Sequence, residues 1–125
     1  MRNRSLLIAL ALLAGAVNAE EQPTVEYVPG YEGARVPLHT VVPLYPEKAR
    51  RARVEGEVEV CFNVDREGNT KRVAVRRSTN RVFEKPARDA VKASTYHPLP
   101  PDQELTGIKT CRTFRFMLTK LEKPG

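Results

Sequence analysis

Glu57-Val58-Glu59-Val60-Cys61-Phe62-Asn63-Val64 is the stretch that decides the fold. Val58, Val60, Phe62 and Val64 recur at every second position, a period that turns one face of a strand toward a core and the other toward solvent. Arg66-Glu67-Gly68-Asn69 follows with turn chemistry, and Gly68 can take the positive φ that such a loop needs. Thr70 to Ser78 reads as a second strand with Val73 and Val75 inward. Pairing Asp65 with Thr70 sets Phe62 opposite Val73, Val60 opposite Val75 and Glu59 opposite Arg76, so apolar meets apolar and acid meets base.

Outward from this hairpin the period changes. Over Val82 to Ser94, Phe83, Ala87, Ala90, Val91 and Ser94 share one helical face, while Lys85, Arg88, Asp89 and Lys92 point away. Pro86 falls in the first turn, where backbone N–H groups have no intrahelical partner. Tyr96-His97-Pro98 and Pro100-Pro101 end the helix. A third alternating run covers Ile108 to Leu118, with Ile108, Phe114, Phe116 and Leu118 on one face and Arg112 interrupting that face. Upstream, Pro46 suits the start of a short helix over Glu47 to Arg53, with Ala49 and Ala52 inward. The order is helix, strand, strand, helix, strand. A right-handed crossover makes the third strand parallel to the second. Beside the first strand it is antiparallel, giving the order 2-1-3. The fold class is therefore α+β, a three-stranded antiparallel/mixed sheet packed against two helices.

Cys61 and Cys111 are the only cysteines. In an exported domain of this size they predict one disulfide. Both occupy outward positions of their strands. Set directly opposite, they also bring Glu57 to Arg115 and Val58 to Phe114.

The N-terminus points to export. Arg2 and Arg4 precede the apolar run Leu6 to Val17, and Val17-Asn18-Ala19 offers the small residues that a signal peptidase reads. The run is well short of the ~20 apolar residues that cross ~30 Å of hydrocarbon. Residues 1–19 are thus expected to be a signal peptide cleaved after Ala19, and the compartment an oxidising one. Residues 20–40, with Pro23, Pro29, Pro37, Gly30 and Gly33, read as an irregular lead-in. Residues 41–120 read as a single domain. The formal net charge is +6, two of those charges being Arg2 and Arg4. An exported chain does not meet chromosomal DNA, so no nucleic-acid partner is expected. The basic groups Arg50, Arg51, Arg53 and Arg76, Arg77, Arg81 are of the kind that usually keeps a domain soluble.

Little in the sequence predicts catalysis. His39 and His97 have no Cys, His or carboxylate at metal-ligand spacing. Asp65-x-Glu67-Gly68 lacks the later bidentate acid of a calcium loop. No nucleophile elbow or phosphate-cradling glycine loop occurs. We therefore expect no catalytic, cofactor-binding or metal residue, and no enzyme. The third strand offers a different function. In the order 2-1-3 it is a sheet edge, with main-chain groups along Thr110 to Phe116 that are either guarded, with Arg112 and Arg115 as gatekeeping charges, or used for strand addition by a peptide.

Pro43-Leu44-Tyr45-Pro46, Ala49, Glu55-Gly56-Glu57-Val58, Phe62-Asn63-Val64-Asp65, Gly68, Val73, Ser78, Phe83, Ala87, Ala90-Val91 and Tyr96-His97-Pro98 form an ordered set. This set resembles the C-terminal domain of TonB over about Val41 to Leu118. The resemblance implies three strands packed on two helices, a periplasmic location and a peptide-binding role. It also implies that a segment of an outer-membrane, TonB-dependent receptor adds as a strand beside the last one. Carried onto this chain, the partner-binding residues are Thr110, Arg112, Thr113, Phe114, Arg115 and Phe116, helped by Val41 and Val42. The expected protein is a monomeric periplasmic module that needs no cofactor and binds an extended segment of an envelope protein. One rival is a minimal energy transducer anchored in the inner membrane by an uncleaved N-terminal segment, the one case with membrane contact. The other is a structural envelope or assembly protein that works through its basic surface.

Overall fold

The structure, a computed structural model, describes residues 21–29 and 35–120. The proposed signal segment 1–19 lies outside the described residues. In chain order the elements are β1 (Glu21–Pro29), β2 (Pro37–His39), α1 (Glu47–Arg51), β3 (Gly56–Val64), β4 (Thr70–Ser78), a 3-10 turn (Arg81–Phe83) leading into α2 (Glu84–Ala93), β5 (Thr95–Tyr96) and β6 (Thr110–Lys120). Among the described residues these form a four-stranded sheet in the order β1-β6-β3-β4 and a small ribbon of β2 with β5. Pairing is antiparallel at each step of the main sheet. The expected α+β class and the order 2-1-3 hold as β4-β3-β6. The sheet nevertheless has a fourth strand where three were expected.

One buried layer between sheet and helices holds the fold together. Val58, Val60, Phe62, Phe114 and Phe116 of the sheet and Phe83, Ala87 and Val91 of the α2 segment are fully buried. Burying a side chain of this kind contributes roughly 1.5–3 kcal/mol, so this face supplies most of the driving force. Phe83 stacks on Phe116 with centroids 4.3 Å apart, and Tyr45 meets both rings edge-on. The side chain of Asn80 accepts from the Val82 N–H and so caps the turn into α2. Pro86 sits within the first turn of that helix, where it costs no hydrogen bond. α1 is shorter than predicted. It ends at Arg51 because Arg53 takes φ 58, the left-handed conformation that closes a helix. Ala49 is buried as expected, whereas Ala52 is exposed.

The hairpin differs from its expected register at two places. Val60 does face Val75. Register shifts flank that pair, between Cys61 and Asn63 and between Glu59 and Val60. Arg72 sits at the first of them with φ 54, an extra residue that the uniform pairing did not contain. Thr70 consequently pairs with Val64, not with Asp65. At the other shift the partner of Glu59 becomes Arg77 in place of Arg76, through an ion pair of 3.1 Å. β6 begins at Thr110, and Ile108, expected to face the core, lies before it at 55% exposure. The β3–β6 register is the predicted one, with Cys61 opposite Cys111, Glu57 opposite Arg115 and Val58 opposite Phe114.

Tyr45 carries a pH prediction. Its hydroxyl donates to the Val54 carbonyl. Desolvation, followed by the nearby Glu55 carboxylate, raises its pKa above the ordinary 10.0. The unfolded chain therefore ionises this phenol first. Tyr45 leaves stability unchanged below pH 10.0 and lowers it as the pH climbs past that value. Tyr45→Phe should cost about 1 kcal/mol at neutral pH through the lost hydrogen bond. Urea unfolding of the variant should then show a smaller fall in stability above pH 10.0 than the parent.

Candidate partner-binding border

β6 was expected to lie at the sheet border with its main chain open. It does not. β1 runs antiparallel along it for 9 residues, from Glu21 opposite Lys120 to Pro29 opposite Arg112. Thr110 is buried, and Phe114 and Phe116 are core residues at 0% exposure. The segment 20–40 is likewise not wholly irregular, since it holds β1 and β2.

Alternation of the ladder explains how a stretch with two prolines can be a strand. The Cα atoms of Cys61 and Cys111 are 4.1 Å apart, the spacing of a pair that exchanges no main-chain hydrogen bonds. Even-numbered residues of β6 therefore point their main-chain groups at β3. The Leu118 N–H agrees, donating on that side to Glu55 at 2.7 Å. Odd-numbered residues of β6 point at β1, where they meet Gln22, Thr24, Glu26 and Val28. Pro23 and Pro29 are thus out of phase with the shared ladder. Their missing N–H groups fall on the outer edge, which is where an edge strand tolerates proline. The same prolines blunt that edge against further addition. At the opposite border, β4 carries Lys71, Arg72, Arg76 and Arg77 together with the two register shifts, another guarded edge.

β1 is held by side chains on both faces. Val25 and Tyr27 pack against the core. On the other face Arg115 donates to Glu57 at 2.7 Å and pairs with Glu26 at 3.7 Å, so it links three strands. Glu21 pairs with Arg53, and Thr24 shares a hydrogen bond of 3.0 Å with Thr119. Exposed ion pairs of this kind contribute roughly 0–1 kcal/mol each.

Arg112, expected to meet a partner, is completely buried. Its guanidinium lies 4.9 Å from the centroid of Tyr27, 5.1 Å from Tyr96 and 5.8 Å from Phe62. These rings of described residues offer a desolvated cation their π faces, worth on the order of 2 kcal/mol. The charge that interrupted the apolar face of the strand is thus buried among aromatic rings. Thr113 is half-buried and Arg115 exposed, on the opposite face of β6.

Val41 and Val42 stand elsewhere. They are exposed and line a groove with Pro43, Leu44 and, from α2, Pro86 and Ala90; no β6 residue lines it. The structure therefore does not unite them with Thr110–Phe116. Among the described residues, the three metal-type side chains that come together are Glu59, Cys61 and Cys111, and the two sulfurs are bonded to one another. His97 is exposed. No helix among the described residues is long and apolar enough to cross a membrane.

A family model described as Gram-negative bacterial TonB protein C-terminal matches residues 41–118. The chain belongs to the TonB C-terminal family. The solution NMR structure of Pseudomonas aeruginosa TonB CTD is similar to it, at a TM-score of 0.50 and 24% identity, covering 80% of this chain and 99% of that one. That likeness shows the fold. No curated protein matches the chain. The match to the TonB family starts after β1, so the strand on the β6 border comes from outside the segment that the family model describes.

β1 is what the sequence reading missed. Val25, Glu26, Tyr27 and Val28 carry a short alternation, with Val25 and Tyr27 inward. Pro23 and Pro29 masked it, because a proline in a strand is acceptable only in the phase that the ladder sets.

Proposed function

We propose that this protein is a periplasmic TonB-like module that captures an extended segment of another envelope protein along β6, in exchange for β1. The observation that carries this reading is the origin of β1. Without that strand, the family segment 41–118 would present β6 as a border, the position at which a peptide adds to a sheet. The other two edges are guarded by proline, charge and register shifts, so exchange at β6 is the route with the fewest obstacles. Family membership supports an outer-membrane receptor of TonB-dependent transport as the partner class. β1 is held by its main-chain ladder to β6, by the partly buried Val25 and Tyr27 and by ion pairs. A guest therefore replaces it by offering the same kinds of contact in the same places.

A photo-crosslinking residue at position 113, beside Val28 on β1, tests the proposal in cells. Adducts with a second envelope protein should form there and increase when Glu26→Lys weakens β1. Position 92 on the exposed side of α2 should give none. Adducts from position 42 with none from position 113 would move the partner to the α2 groove and overturn strand exchange.

A further inference from the structure

We infer that the segment taking the place of β1 carries a β-branched residue, an acid and an aromatic residue in succession, read antiparallel against Phe116, Arg115 and Phe114. The inference rests on the strand exchange proposed above and names the chemistry of the guest. The seats are defined by what β1 puts in them. Val25 lies opposite Phe116 and Tyr27 opposite Phe114, both against the core. Between them Glu26 lies opposite Arg115 on the other face.

The aromatic seat is the demanding one. Of the three rings that the described residues bring to Arg112, those of Phe62 and Tyr96 are fully buried in the remaining fold. Tyr27, the nearest ring, belongs to β1 and leaves with it. Exchange therefore opens one wall beside a buried guanidinium. An aromatic guest restores both the cover and the π face, whereas a small polar residue leaves a cation beside an apolar core with one contact fewer. The acid seat discriminates less, because Arg115 keeps Glu57 when Glu26 departs. A basic guest residue would still meet Arg115 at close range.

The test uses the full chain carrying Val25→Ser and Tyr27→Ser, titrated with synthetic peptides and followed by amide NMR over Thr110–Lys120. The probes are the β1 sequence Glu21–Pro29, its Tyr27→Ser and Glu26→Lys versions, and a Thr-Val repeat of equal length. The β1 peptide should bind with shifts confined to β6 and its neighbours. The Tyr27→Ser peptide should bind about tenfold more weakly, with Glu26→Lys in between. If all four bind alike, strand exchange survives and the inferred pattern is wrong. If none binds, strand exchange itself fails and the inference falls with it. Should the double variant not fold, the chain with Glu26→Lys alone, which alters an exposed carboxylate, takes the same four peptides with the same readings.

Discussion

Replacing Cys61 and Cys111 by alanine is expected to lower the stability of the domain by about 4 kcal/mol. The disulfide joins positions 50 residues apart, and closing a loop of that length removes chain entropy from the unfolded state. A domain of this size holds about 5–15 kcal/mol in total, so the loss is a large share. The location adds to the effect. Cys61 and Cys111 tie β3 to β6, the two inner strands, and α2 and β1 both pack on that pair. Urea unfolding should show a lower midpoint and a somewhat steeper slope, because an unfolded chain freed of the cross-link expands and exposes more surface. A difference below about 1 kcal/mol would mean that residual structure already confines the unfolded chain, and would count against the entropic account.

Gly68→Ala should cost about 3 kcal/mol, from two sources. Gly68 has φ 96, which an L side chain resists. A Cβ there would also lie 1.9 Å from the Tyr96 carbonyl oxygen, which is main chain and has no rotamer to change. The contact cannot relax without breaking the hydrogen bond of 2.8 Å from the Tyr96 N–H to the Gly68 carbonyl. Tyr96 is also one of the rings beside Arg112, so the strain would reach the core beneath the β6 border. Gly107 supplies the control. It has φ 75 with nothing near its missing Cβ, so Gly107→Ala should cost only about 1 kcal/mol. Equal thermal unfolding of the two variants would show that the β3–β4 loop yields freely, contrary to the tight approach at Tyr96.

The candidate site was only partly legible in the sequence, for reasons that lie in single residues. Val58 to Val64 could be read directly because strict alternation has one geometric solution, and Phe83 to Ser94 because the helical period does. The two cysteines, once assumed paired, set the β3–β6 register without further information. Arg112 could not be understood locally. A cation on an apolar face looks misplaced within one strand, and its aromatic neighbours Tyr27, Phe62 and Tyr96 come from three other strands. Val41 and Val42 were grouped with β6 by resemblance, but their groove lies against α2.

By themselves, the residues of this chain determine an α+β domain, the central hairpin and two helices, because each follows from a repeat or a turn within a short window. The cross-strand disulfide follows instead from there being two cysteines, both at outward strand positions. Tertiary structure alone decided that the last strand is covered, that Pro23 and Pro29 fall on the outer edge of the covering strand, and that bulges move Glu59 from Arg76 to Arg77. The physical reason is that a strand satisfies only half of its main chain in each neighbour. Which half faces which neighbour depends on residues distant in sequence, and no local pattern records that.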